Sequence, residues 1–136
     1  MDRGFELVPH TADIGLRIRG ASGEELTRRA IEGFAHLMLA EPSAVEPAAH
    51  LVVRVEGASL EELLVRLLNE LIFLFDTKGF LCRKAAMVKL GGAWLEAELA
   101  GEPYDPSRHE IVAVAKAATY HGLRLLHTGG GLCVTV

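Results

Sequence analysis

Cysteine is scarce in this chain, and the two residues present lie far apart. The 136 residues include only Cys82 and Cys133, with no CxxC pair and no zinc-type Cys/His spacing. A structural zinc site needs clustered thiolate and imidazole ligands, so the sequence argues against one. We expect two buried, reduced thiols, as is usual in a cytosolic protein.

Long uninterrupted apolar runs are also missing. The most apolar stretch, residues 63–75, contains Arg66 and Glu70, whereas a membrane-spanning helix needs about 20 consecutive apolar residues. Asp2 and Arg3 interrupt the N-terminus before the apolar segment of a signal peptide could form. The sequence therefore predicts a cytoplasmic protein that does not enter a membrane.

The chain has no excess of basic residues. Lys and Arg number 14 against 18 Asp and Glu, which gives a net charge of −4 and a pI near 5.8. A broad RNA-binding surface neutralises phosphates with clustered Lys and Arg. We therefore expect little direct nucleic-acid binding and a protein as the main partner.

Two strand–turn–helix units follow one another in the first half. Residues 14–19 alternate apolar and polar as a strand does, and Ser22 with Glu25 then has the spacing of a capping box that opens a helix over 22–39. Residues 51–56 and the pair Ser59 and Glu62 repeat this order. Either the two units arose by duplication, or they look alike because each needs a capped helix start after a strand. We favour the second explanation.

The second helix is expected to be buried on two sides, because its apolar residues cover more than half of its circumference.

The remaining chain is predicted to be mostly extended: strands over 80–90 and 94–99, a loop over 101–107, a strand over 111–118, and a closing hairpin of 123–127 with 132–136. Together these elements predict one domain, 1–136, with an α+β fold. We expect a two-layer sandwich in which two helices pack on one face of a mostly antiparallel mixed sheet.

Asp13 is the first candidate for chemistry. It ends the tetrapeptide His10-Thr11-Ala12-Asp13, directly before the first predicted strand. An aspartate in this position is either a turn residue that accepts backbone N–H bonds or an oxygen ligand for a hard cation such as calcium. One carboxylate alone does not make a metal site.

A second group of polar residues lies in the last third of the chain. Gly101-Glu102-Pro103-Tyr104-Asp105 and His109 precede the hexapeptide Lys116-Ala117-Ala118-Thr119-Tyr120-His121. Lys116 is either a sheet-edge lysine whose stem packs while its ammonium reaches water, or a cation held at a polar pocket. His109 and His121 have either hydrogen-bonded structural roles or roles as ligands or bases, which are the roles open to an imidazole side chain.

These segments resemble the archease family, small proteins that assist the RNA ligase that joins tRNA exons. The tetrapeptide ending at Asp13 matches residue by residue, and the hexapeptide matches the family pattern Lys-Ala-x-Thr-Tyr-His. The resemblance implies an accessory protein, not an enzyme, that promotes guanylylation and multiple turnover of the tRNA-splicing RNA ligase. It also implies a divalent metal, calcium in this family, that is held by Asp13 and by an aspartate near the C-terminus.

The resemblance assigns Lys116 to nucleotide phosphate or to a ligase carboxylate, and Glu102, Asp105 and His109 to the rim of the docking surface. The C-terminal aspartate has no counterpart in Cys133-Val134-Thr135-Val136. Either a short tail is absent from this sequence or the ligand has been lost, and Asp105, Glu102 or His109 are candidate replacements. Two alternatives stay open: a chaperone-like binding module, and a small metal-dependent hydrolase that uses Asp13, Asp105 and His109.

Overall fold

The computed structural model describes residues 5–9, 14–112, 119–126 and 131–135. Two α-helices and a set of β-strands occupy most of this part of the chain. In order these are β1 Phe5–Pro9, β2 Ile14–Arg19, α1 Gly23–Met38, β3 Ala49–Glu56, α2 Leu60–Lys78, β4 Phe80–Leu90, β5 Trp94–Pro103, β6 Thr119–Leu126 and β7 Gly131–Thr135.

Both helices begin where the capping residues predict. The Ser22 hydroxyl accepts the N–H of Glu25 at 3.1 Å, and the Ser59 hydroxyl accepts the N–H of Glu62 at 3.2 Å. Each serine thus satisfies one of the backbone donors that a helix leaves open at its first turn. Helix α2 ends at Gly79, whose φ of 65° is the left-handed conformation that glycine adopts without strain.

The strands form two sheets, which differs from the single sheet expected. One sheet has the order β1-β2-β7-β6 and the other the order β3-β5-β4, and every pairing described is antiparallel. Strand pairing depends on partners distant in sequence, which a local pattern does not identify. The predicted α+β class is confirmed, and so is the closing hairpin, formed by β6 and β7.

Helix α2 occupies the centre of the core. It contacts α1, strands of the three-stranded sheet, and β6 of the four-stranded sheet. Leu64, Leu67 and Leu68 are completely buried. The predicted burial of this helix on two sides is therefore confirmed. Neither α1 nor α2, the long helices of the described residues, is apolar enough over a sufficient length to cross a membrane.

Strand β5 is longer than predicted. Gly101, Glu102 and Pro103 were expected in a loop, but they continue β5 opposite Cys82, Leu81 and Phe80. Glycine and proline suggested a turn, yet pairing with the start of β4 overrides that local preference. Gly101 is needed there because a Cβ at this position would collide with the backbone carbonyl of Leu81.

We expect Gly101→Ala to lower the free energy of unfolding by about 1–3 kcal/mol, because β4 and β5 would have to move apart. Gly92→Ala is the matched control: its Cβ would meet nothing within 4 Å, and its effect should stay within about 0.5 kcal/mol. Urea denaturation of both variants measures the difference. Equal stabilities would contradict the close approach of the strands.

Candidate functional site

The candidate site centres on Glu102, near the end of β5. This residue is only 8% exposed, and it lies opposite Leu81 of β4. An ionised carboxylate that leaves water needs an opposite charge and several hydrogen-bond donors. The surrounding residues supply both.

Arg108 binds Glu102 through both ends of its guanidinium group. Its Nη1 donates to Oε1 at 2.9 Å and its Nη2 to Oε2 at 2.6 Å, which is the two-pronged geometry of a strong arginine–carboxylate pair. The backbone N–H of Glu46 donates to Oε2 at 2.7 Å. Within the described residues, no buried side-chain nitrogen or oxygen lacks a hydrogen-bond partner.

His109 adds a fourth contact to this carboxylate. The N–H of Asp105 donates to its Nδ1 at 2.9 Å, so Nδ1 carries no proton. Its Nε2 lies 2.9 Å from Oε2 of Glu102 and therefore carries the proton that the carboxylate accepts. We assign the neutral Nε2–H tautomer from these two bonds.

Asp105 is committed to the turn that follows β5. Its Oδ1 accepts the N–H of Ser107 at 3.0 Å and the Ser107 hydroxyl at 2.8 Å, which holds the pKa of this carboxyl below its usual range. Its carbonyl accepts the N–H groups of Arg108 and His109 at 2.9 and 2.8 Å. The turn therefore presents Arg108 and His109 to Glu102.

The pKa of Glu102 is lowered to about 2, first by the hydrogen bonds from Arg108, then by the N–H of Glu46, and also by His109, against the effect of burial. The folded protein therefore keeps this carboxylate ionised throughout the neutral range. Both of its oxygens are already bonded to donors.

This donor set does not suit a divalent cation. A guanidinium group occupies the carboxylate of Glu102 and would repel a metal ion, and the Nδ1 lone pair of His109 is bonded to the backbone. Among the residues that the structure describes, no group of three or more His, Cys, Asp or Glu side chains is arranged to hold a metal.

Tyr104 and Arg108 form the exposed part of the site. Tyr104 is 37% exposed, and its ring lies edge-on to Phe75, with centroids 5.8 Å apart, and 6.1 Å from the ring of His109. The Arg108 side chain is 44% exposed although it binds Glu102. Sequence reasoning gave neither residue a role, although both belong to the polar stretch around Asp105.

The turn is also tied to neighbouring segments. Nη2 of Arg108 donates to the carbonyl of Ala44 at 3.2 Å. Beyond His109, the carbonyl of Glu110 accepts the N–H of Ala40 at 3.0 Å, and the N–H of Val112 donates to the carbonyl of Met38 at 2.7 Å. The end of α1 therefore holds the chain that leads towards Lys116.

His10, Thr11, Asp13 and Lys116 lie outside the described residues. Thr119, Tyr120 and His121 lie in β6, where the backbone is described. The predicted strand over 111–118 is described only at its start, where Ile111 forms an isolated bridge with Leu39.

The strand ends that flank these residues lie side by side. Gly15 of β2 pairs with Thr135 of β7, which in turn pairs with Thr119 of β6. Asp13 precedes Gly15 by two residues, and Lys116 precedes Thr119 by three. The backbone therefore brings the chain segments next to both candidates to one end of the four-stranded sheet.

The fold and the polar stretch after β5 define a small α+β domain with a structured, partly exposed turn. A sequence model of the Archease protein family matches residues 5–136. The Protein archease of Sulfurisphaera tokodaii is 33% identical over 132 residues, which span 96% of this chain and 94% of that protein. The chain therefore belongs to the archease family.

Solved structures agree with this assignment. The solution structure of Methanobacterium thermoautotrophicum protein 1598 matches with a TM-score of 0.80 and 27% identity, over 99% of this chain and 97% of that one. The crystal structure of a Thermotoga maritima archease, described as a possible chaperone, matches with a TM-score of 0.59 and 21% identity, over 96% and 92% of the two chains. The second likeness supports the fold alone.

We expect the free energy of unfolding to fall as the pH drops from about 4.5 to about 2. The pKa of Glu102 is lower in the folded chain than in the unfolded chain. Its contribution to stability is therefore complete above the unfolded pKa and is lost as the pH falls to the folded pKa. Glu102→Gln should lower stability at neutral pH and flatten this part of the pH profile. Denaturant titrations between pH 7 and pH 2 measure both effects.

Glu110→Gln is the control for this experiment. Glu110 is an exposed acidic residue close to the turn, and its side chain has no described contact. Its profile should follow that of the unmodified protein. Parallel profiles for Glu102→Gln and the unmodified protein would show that this carboxylate does not stabilise the fold.

Proposed function

We propose that this protein is a non-catalytic accessory protein of the tRNA-splicing RNA ligase and that it promotes guanylylation and repeated turnover of the ligase. The observation that carries the proposal is the family match over residues 5–136, together with the motifs ending at Asp13 and beginning at Lys116. The protein would act in the cytoplasm, where a buried, reduced Cys82 is expected.

Asp13 and Lys116 are the proposed functional residues at one end of the four-stranded sheet. The pairing of Gly15, Thr135 and Thr119 supports a common location for them. Asp13 would supply an oxygen ligand to a divalent cation, with calcium as the proposed ion. Lys116 would face nucleotide phosphate or a carboxylate of the ligase, where a flexible ammonium group neutralises charge.

The turn after β5 is the proposed docking rim. Tyr104 and Arg108 are exposed and held in place, and tyrosine and arginine are the residue types that contribute most to protein interfaces. Glu102 and His109 are buried and would hold the exposed side chains in position, and Asp105 would shape the turn. A fixed turn loses little conformational freedom when a partner binds.

A protein surface fits this site better than an RNA backbone. The guanidinium of Arg108 is already neutralised by Glu102, and the whole chain carries a net charge of −4. Affinity for RNA phosphates depends on cations that are free to replace counterions.

The decisive experiment is multiple-turnover RNA ligation by the cognate ligase with substoichiometric amounts of this protein. We expect faster turnover together with faster ligase guanylylation. Asp13→Asn and Lys116→Ala should each abolish most of the stimulation, while circular dichroism shows an intact fold. Asp76→Asn and Lys89→Ala change exposed residues of the same types and should stimulate normally.

Undiminished stimulation by the Asp13 and Lys116 variants would contradict their roles. No stimulation by well-folded protein would contradict the accessory function itself.

Tyr104→Ala and Arg108→Ala test the docking rim separately. We expect each variant to raise the concentration of accessory protein that gives half-maximal stimulation by roughly tenfold, with the maximal rate retained. Arg108→Lys should behave like Arg108→Ala, because lysine does not reproduce the two-pronged contact with Glu102. An unchanged dose response would place the ligase contact elsewhere.

A chaperone-like binding role is the second candidate. The observations that favour it are the exposed apolar side chains of Val52 and Phe73 and the description of the Thermotoga protein as a possible chaperone. This function predicts that the protein suppresses aggregation of unrelated unfolded clients and that Phe73→Ser weakens the effect. Activity towards the ligase alone would argue against it.

A further inference from the structure

The two edges of the three-stranded sheet differ in their protection. Strand β4 has register shifts between Cys82 and Lys84 and between Ala85 and Met87. Nη1 of Arg28 also donates to the carbonyl of Ala85 at 2.9 Å. Bulges, lysines and a covering helix are the devices that keep sheet edges from pairing with other chains.

Strand β3, the opposite edge, has neither a register shift nor a lysine. Its register with β5 is unbroken from Ala49 to Glu56, and it contains neither proline nor lysine. Among the residues that the structure describes, β3 pairs with β5 alone. A regular strand of this length with a free edge is a template for a further strand.

The backbone groups on this free edge are identified by the ladder to β5. The N–H of Gly57 donates to the carbonyl of Ala93 at 3.1 Å. Inward and outward groups alternate in an antiparallel pair, so Val53 and Val55 also direct their N–H and C=O groups to β5. The residues whose groups point outward are His50, Val52, Arg54 and Glu56.

We propose that β3 pairs with β3 of a second copy of this chain, antiparallel, with Val53 on the two-fold axis. The outward-pointing residues then form the hydrogen-bonded pairs: His50 with the partner's Glu56, and Val52 with the partner's Arg54. On the opposite face, Leu51 contacts the partner's Val55, and the two copies of Val53 contact each other. Each His50–Glu56 pair sets a basic side chain opposite an acidic one, the odd-numbered residues pair apolar side chains, and Val52 packs against the stem of the partner's Arg54.

Neighbouring registers lack this complementarity. A shift by two residues in one direction places Arg54 opposite the partner's Arg54. A shift by two residues in the other direction places His50 opposite the partner's Arg54. The first shift sets two like charges directly opposite each other, which destabilises a strand pair, and the second leaves His50 and Arg54 without an acidic partner across the pair. The charge pattern therefore selects the register centred on Val53.

The surroundings of β3 leave space for the second copy. Val52 is 60% exposed and Phe73 on α2 is 54% exposed. An open groove of about 590 Å³ runs beside the strand, between Arg54, Val55 and Glu56 on one side and Arg66, Glu70 and Phe73 on the other. Arg54 is ordered by Trp94, whose ring centroid lies 4.7 Å from its guanidinium carbon. Pairing would cover Val52 with the stem of the partner's Arg54.

Sedimentation velocity from about 1 µM to about 1 mM tests the proposal. The unmodified protein should pass from monomer to dimer. Glu56→Lys and His50→Glu should each weaken the dimer roughly tenfold, because the two-fold axis repeats each mismatched pair. Glu56→Lys brings two basic side chains together at both ends of the strand pair, and His50→Glu brings two carboxylates together there.

An equimolar mixture of these two variants should restore association. In the mixed dimer, the lysine introduced by Glu56→Lys lies opposite the glutamate introduced by His50→Glu. At the other end, the unchanged His50 of one chain lies opposite the unchanged Glu56 of the other, so both pairs are matched again. Glu110→Lys, away from the edge, should dimerise like the unmodified protein.

Val52→Pro tests the backbone contribution. It removes an outward N–H without touching the ladder to β5, so the monomer should fold and the dimer should be lost. A monomer at every concentration would overturn the proposal and leave the edge to an extended segment of another protein. A dimer that persists in Val52→Pro, or single variants that the mixture does not restore, would overturn it as well.

Discussion

The ionised carboxylate of Glu102, buried at the end of β5, is the constraint on which the candidate site depends. Its charge has to be compensated inside the protein, and the compensation comes from separate segments of the chain. Arg108 and His109 belong to the turn after β5, and the N–H of Glu46 belongs to the segment that follows α1. The requirement of one carboxylate thus fixes the strand, the turn and this segment relative to each other.

This arrangement explains why an exposed turn is so well defined. Tyr104 packs against Phe75, Arg108 is held by Glu102, and Asp105 accepts both donors of Ser107. The polar side chains of Glu102, Asp105 and His109 bond to other groups of the protein. The exposed surface of the turn is therefore formed by Tyr104 and Arg108. A partner would therefore recognise a shape that the buried residues maintain.

Local patterns predicted the helices closely and the site only in part. Ser22 and Ser59 identify both helix starts, because capping involves residues within one turn of each other. The extension of β5 through Gly101 and Glu102 was missed, because it depends on pairing with β4. The roles of Tyr104 and Arg108 were missed for a similar reason: exposure and burial at this turn depend on Phe75 and Glu46, which are far away in sequence.

The sequence by itself determined the helices, the alternating strands, the acidic balance and the motifs that identify the family, since all of these are local or compositional properties. Only the tertiary structure decided that the strands form two sheets, that β3 pairs on one side alone within the described residues while β4 has register shifts, and that Glu102 faces inward. These features depend on which distant segments approach each other, and the free energy of burying a charge or pairing a strand is defined only once they have done so.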